Sequence, residues 1–130
     1  MSGVISEAAC SSSQPQDDPL DREYLSKNYF ALGCGDVLAD VCKIYLESAP
    51  QKLEQIRQFL GQGDLEPVVR LAHGLKGESG SVGGRFIMAV AAALEKAARS
   101  GELAEAVGLL PELELQLHRI TTVIQKEFVV

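Results

Sequence analysis

The run Ala72-His73-Gly74-Leu75-Lys76-Gly77 sets an imidazole and an amine three residues apart, with glycines after each. A neutral imidazole, with an ordinary pKa of about 6.5, is a competent nucleophile near pH 7. On a helix, a lysine one turn on shares the ring's neighbourhood and can place an ammonium beside any negative charge the ring engages. The pattern thus pairs a nucleophile with a charge stabiliser.

Helical geometry says where this pair points, because each residue advances about 100° around the axis. Leu71, Val82, Leu75 and Val68 fall at roughly 160°, 180°, 200° and 220° from His73 and form an apolar stripe opposite it. Glu66, Gly80, Gly77 and Arg70 lie within about 60° of the histidine, with Val69 and Lys76 flanking. The ring is therefore expected to face solvent. Glycine inside a helix costs about 0.8 to 1.0 kcal/mol relative to alanine, so Gly74, Gly77 and Gly80 together forfeit roughly 2.5 to 3 kcal/mol. Close helix packing explains many such glycines, but Gly77 and Gly80 lie on the histidine side, where room for an approaching partner is the better account.

The elements that must position this helix are legible in the pattern. Residues 1–19 contain Ser11-Ser12-Ser13-Gln14-Pro15-Gln16-Asp17-Asp18-Pro19 and read as a flexible tail or linker, leaving 20–130 as the folded domain. Leu20 to Ala31 reads as one short amphipathic helix ended by Gly33 and Gly35. Asp36 is the expected cap of a long helix to about Leu60, with Val37, Val41, Ile44, Tyr45, Leu53, Ile56 and Leu60 on one side and a kink at Pro50. After a Gly61–Gly63 turn, Asp64 caps the histidine helix, with Pro67 in its first turn and Gly83-Gly84 at its end. Phe86, Ile87, Val90, Leu94 and Ala97 mark the next helix, closed by Ser100-Gly101. Leu103, Ala106, Leu110, Leu113, Leu117, Ile120 and Ile124 mark the last, which Pro111 would divide. The expected fold is all-α: an antiparallel up-down four-helix bundle with a short additional N-terminal helix.

Composition narrows the function. With 130 residues, 46% hydrophobic but only 5% aromatic, the chain suits one helical domain better than a sheet. A net charge of −6 without a Lys/Arg run argues against nucleic acid. No stretch approaches 18 apolar residues and Met1 to Gln16 lacks a signal-peptide pattern, so a cytoplasmic protein away from membranes is expected. Cys10, Cys34 and Cys42 form no CxxC pair, which favours reduced thiols without a role.

Leu71-Ala72-His73-Gly74-Leu75-Lys76-Gly77, then Ser79, Val82-Gly83-Gly84 and Leu94-Glu95-Lys96-Ala97-Ala98-Arg99-Ser100-Gly101, resembles the histidine-containing phosphotransfer (HPt) domains of bacterial two-component phosphorelays. The likeness spans Asp21 to Phe128. It departs at Gly74, where the family commonly has Thr or Ser. The resemblance implies that His73 accepts a phosphoryl group from a receiver-domain aspartate and passes it to another. Such transfer needs mainly in-line positioning and charge stabilisation. Lys76 would steady the phosphoryl oxygens, and Val69, Arg70, Gly77 and Gly80 would border the docking surface. The expected partners are response-regulator receivers, free-standing or within a hybrid histidine kinase. No metal or cofactor is expected on this chain, magnesium coming from the receiver, and a monomer is expected.

Other readings were open at this level. A lone helical histidine is more often an ordinary residue, and a lysine a solvated charge; the opposed stripe and the glycines favour the functional reading of both. His118, beside Leu117 and without companion ligands, reads as structural. The glycine-rich run after Lys76 lacks the Gly-Lys-Ser/Thr and βα context of a nucleotide loop, so a stoichiometric carrier without autokinase activity is expected rather than an enzyme. A phosphorylation-independent adaptor that binds a receiver or kinase domain is the alternative.

Overall fold

The computed structural model describes residues 16–129, and among these the regular structure is helical throughout. A short helix α1 (Arg22–Leu25) runs into a π-helical turn (Ser26–Phe30); four long helices follow, α2 (Gly35–Gln62), α3 (Leu65–Ser81), α4 (Arg85–Arg99) and α5 (Leu103–Glu127). Each long helix packs on the next in sequence, and α5 also packs on α2. One core results, built from Leu38, Tyr45 and Ile56 of α2, Val68 and Leu75 of α3, Ile87 and Leu94 of α4, and Leu113, Ile120 and Ile124 of α5.

The turns share one design. Gly33, Gly63, Gly83 and Gly101 have φ of 74°, 72°, 74° and 75°. At Gly63 the amide donates to Leu60 O and the next amide, of Asp64, to Phe59 O; Gly83-Gly84 and Gly101-Glu102 repeat the pattern with Gly80 and Ser79, and with Ala98 and Ala97. A left-handed residue at a helix C-terminus satisfies the last carbonyls in this way, and glycine takes that conformation without a Cβ penalty. Short turns therefore follow directly from four glycines.

The expected phase of α2 is displaced. Leu38, Cys42, Tyr45, Ala49, Leu53, Ile56 and Leu60 are buried, while Val37 and Ile44 are exposed. Cys42 and Ala49 are small enough to let neighbouring helices approach, so they take core positions that larger Val37 and Ile44 were expected to fill. Asp36 lies in the first turn of α2 rather than capping it, and Cys34 occupies the cap position. Asp64 does precede α3, but its side chain makes no capping hydrogen bond. Neither proline ends its helix: Pro50 and Pro111 are exposed within continuous α2 and α5. Pro111 thus does not divide the last helix, because the surrounding seam from Ala106 to Ile124 holds both sides of it in the core.

The N-terminal piece clips onto the bundle. Asp21 caps α1 by accepting from Tyr24 N, its own amide donates to Gly83 O at 2.7 Å, and Leu20 is buried. In the π turn Ala31 N donates to Ser26 O, and the Tyr29 hydroxyl donates to Ser81 O at 2.8 Å, tying the segment to the end of α3. The segment expected to be flexible falls largely outside the described residues. Its last part is held: Arg85 donates to the carbonyls of Asp18 and Gln16, and Arg119 to that of Asp17.

Candidate functional site

The site forms where α3 meets α4. Val68, Ala72, Leu75, Ser79 and Val82 are the residues of this helix region that face inward. They centre at about 220° from His73, some 30° beyond the stripe that large apolar residues alone define. Ala72 and Ser79 cause the difference, since both are fully buried despite their small or polar side chains. Ser79 is accommodated because its hydroxyl pairs with that of Tyr45 at 2.8 Å. The rotation leaves His73 exposed, with 68% of its side chain accessible, yet leaning toward α4.

There it meets Glu95. On α4 the buried positions Ile87, Ala91, Leu94, Glu95 and Ala98 follow helical spacing, so this carboxylate occupies a core-facing slot with 8% of its side chain exposed. Three groups meet it: His73 Nδ1 lies 3.1 Å from Oε2, Arg99 Nη2 2.9 Å from the same Oε2, and Lys76 Nζ 2.9 Å from Oε1. Hydrogen bonding from Lys76 lowers the Glu95 pKa below its ordinary value against the opposing effect of burial, with His73 contributing in the same sense. Glu95 is therefore ionised at neutral pH and can only accept. The Nδ1 of His73 must then carry the ring proton, which leaves the Nε2 lone pair free for attack.

Glu95 stands in the sequence analysis only inside the run Leu94–Gly101, with no role of its own, although a signal for one existed. A charged residue at a helical spacing otherwise filled by Ile87, Ala91 and Ala98 must find a partner or incur a large desolvation cost. Counting only apolar positions passes over it.

The other expected site residues separate into groups. Lys76 is half-buried and joins the Glu95 cluster. Gly77 is exposed, and a Cβ there would meet nothing within 4 Å. Gly80 is packed instead: a Cβ would come 3.1 Å from Met88 Sδ of α4, so close helix contact accounts for this glycine. Gly77, Gly80 and Met88 line one open groove of about 280 Å³ together with Tyr24, Ser81 and Arg85. Val69 is half-buried and Arg70 exposed on α3, and Arg70 borders a different groove with Lys52 and Phe59 of α2. At Gly74 a Cβ would meet Lys52 Cε at 3.1 Å, so the missing side chain seats the lysine stem. His118 is exposed on α5, remote in sequence and helix from this cluster.

Among the described residues no group of three or more His, Cys, Asp or Glu converges as a metal site. No helix among them is long and apolar enough to cross a membrane. Comparison with curated proteins and with solved structures gives no match. The family model described as Hpt domain matches residues 40–122, from the first half of α2 into α5, a span that includes His73, Lys76, Glu95 and Arg99. That match covers well over half of the chain, and with an exposed histidine paired to a buried carboxylate between two helices, it establishes that the chain belongs to the Hpt domain family, the histidine phosphotransfer modules of two-component signalling.

Proposed function

We propose that His73 is the phosphoacceptor, taking a phosphoryl group from a receiver-domain aspartyl phosphate and passing it to a second receiver aspartate. The Nε2 lone pair forms the N–P bond while the P–O bond to the aspartate breaks, its electron pair leaving with the receiver's carboxylate. The ring, still protonated at Nδ1, becomes cationic as the bond forms. Glu95 lies against that proton and offsets the new charge, as a carboxylate behind a reacting imidazole does in general. Lys76, one turn from His73, is placed to turn its ammonium toward the phosphoryl oxygens. The carrying observation is the contact of His73 Nδ1 with the buried, ionised Glu95, which orients the proton away from the solvent-facing nitrogen.

In this reading the open surface at Gly77 admits the receiver, with Gly80 flooring the groove beside Met88, and Val69 and Arg70, one turn before His73, extend the docking surface, Arg70 at the neighbouring groove toward α2. The magnesium ion is assigned to the receiver, since Glu95 is already engaged by Lys76, Arg99 and His73. The protein acts as a stoichiometric, cytoplasmic, monomeric carrier without ATP chemistry. Its four long helices run up and down, as the short glycine turns favour.

Incubation with a phosphorylated receiver tests the proposal. Acid-labile label should appear on wild-type protein and be lost by at least about 100-fold in His73→Gln, because an amide cannot replace the imidazole nitrogen as nucleophile. Receiver binding that survives His73→Gln while the wild type takes no label would replace the carrier by the adaptor reading.

A further inference from the structure

Arg99 has no part in the chemistry above. It sits in the last turn of α4 with 64% of its side chain exposed, yet its guanidinium holds Glu95 Oε2, the oxygen that also faces His73 Nδ1. Lys76 holds the other oxygen from α3. The carboxylate is thus gripped at both oxygens by cations from the two helices that form the site. With both cations gone the carboxylate could turn about its last carbon–carbon bond away from the ring; a guanidinium on Oε2 keeps that oxygen in place beside Nδ1 even when Oε1 is released.

The two grips are not equivalent. If Lys76 turns toward an incoming phosphoryl group it releases Oε1, since one ammonium cannot fully serve both anions. Arg99 holds the other oxygen, Oε2, and is free to keep its hold through that change. We propose that Arg99 is a positioning residue for His73, fixing Glu95 Oε2 against Nδ1 so that the ring proton stays there and Nε2 stays nucleophilic while Lys76 is drawn away. This rests on the phosphoacceptor reading and adds to it a residue that acts only through Glu95.

The test uses the full chain, the Arg99→Ala and Arg99→Lys variants, and two readouts. Nitrogen NMR of the neutral His73 ring should show a smaller Nδ1–H fraction in Arg99→Ala than in wild type. Phosphoryl acceptance should slow about fivefold with receiver affinity changed less than about twofold, the size expected for one net hydrogen bond, and Arg99→Lys should recover most of it. Adding Arg99→Ala to Glu95→Gln should slow transfer no further than Glu95→Gln alone. Additive losses would mean that Arg99 touches the partner or the phosphoryl group itself and would overturn the proposal. An unchanged ring-nitrogen spectrum in Arg99→Ala would overturn it as well. Absence of label on wild-type protein would defeat the phosphoacceptor reading, whereas the ring-nitrogen spectrum still decides what Arg99 does to His73.

Discussion

Helix α3 carries a lysine–glutamate pairing on each of two flanks, and the two differ in what they leave open. Toward α2, Lys52 Nζ lies 2.7 Å from Glu78 Oε2, and Ser48 donates to the same oxygen at 2.8 Å. Toward α4, Lys76, Arg99 and His73 share Glu95. The Glu78 side chain is 30% exposed and its buried Oε1 has no hydrogen-bond partner among the described residues, whereas the Glu95 side chain is 8% exposed and engaged at both oxygens. An ion pair between helices is thus not what makes a site. The difference lies in a fully engaged carboxylate that also holds a solvent-facing ring with one nitrogen spoken for.

The sharpest way to break this contrast is to neutralise each glutamate in turn. Glu95→Gln should slow phosphoryl acceptance on the order of tenfold, because an amide can present its NH₂ to Nδ1 and no longer offsets a cationic ring, whereas Glu78→Gln should stay within about twofold. Initial rates of phosphohistidine formation from a phosphorylated receiver decide this; equal losses would erase the distinction. The lysines come next. Lys76→Ala should slow transfer about fivefold with near-normal receiver affinity, while Lys52→Ala should leave transfer alone and cost about 0.5 to 1 kcal/mol in denaturant unfolding.

Acid provides a gentler probe. The folded-state pKa of Glu95 lies below its ordinary 4.5, so around that pH the folded state binds fewer protons than the unfolded chain. Its stabilisation is complete above about pH 4.5 and is lost as pH falls through the folded value. Thermal unfolding of Glu95→Gln should therefore fall less steeply below that pH than wild type. Part of the slope should persist, because Arg22 lowers Glu127 in the same direction. The smallest effect is expected at Gly74→Ser, where the new side chain displaces only the flexible Lys52 stem: stability should change by less than about 1 kcal/mol and transfer should not change. A large loss of transfer there would extend the site to the α2 flank.

Much of this was legible in the sequence because the determinants are local. The left-handed glycines at 33, 63, 83 and 101 terminate helices through their own backbone freedom, and the apolar spacing of α5 sets its inward face without help from other elements. His73 and Lys76 were singled out by spacing, and counting around the axis gave the exposed face on which His73 lies. What escaped depends on contacts across the bundle. Glu95 requires a cation arriving from α3, and the buried Ser79 requires the Tyr45 hydroxyl from α2. Gly80 was read from its own helix as an opening, but its neighbour Met88 belongs to α4, and the Lys52 stem that Gly74 seats belongs to α2. The small residues Cys42 and Ala49 turn the α2 face through packing that hydrophobicity alone does not register.

The buried thiol of Cys42 gives the bundle a clock. Burial in the apolar seam of α2 pushes its pKa up to about 11, so at neutral pH almost none of it is thiolate and an alkylating reagent cannot reach it without separation of the helices. The rate at which the Cys42 peptide gains mass therefore reports how often this domain opens, and comparing that rate before and after phosphorylation would reveal whether the charged ring tightens or loosens the scaffold that carries it.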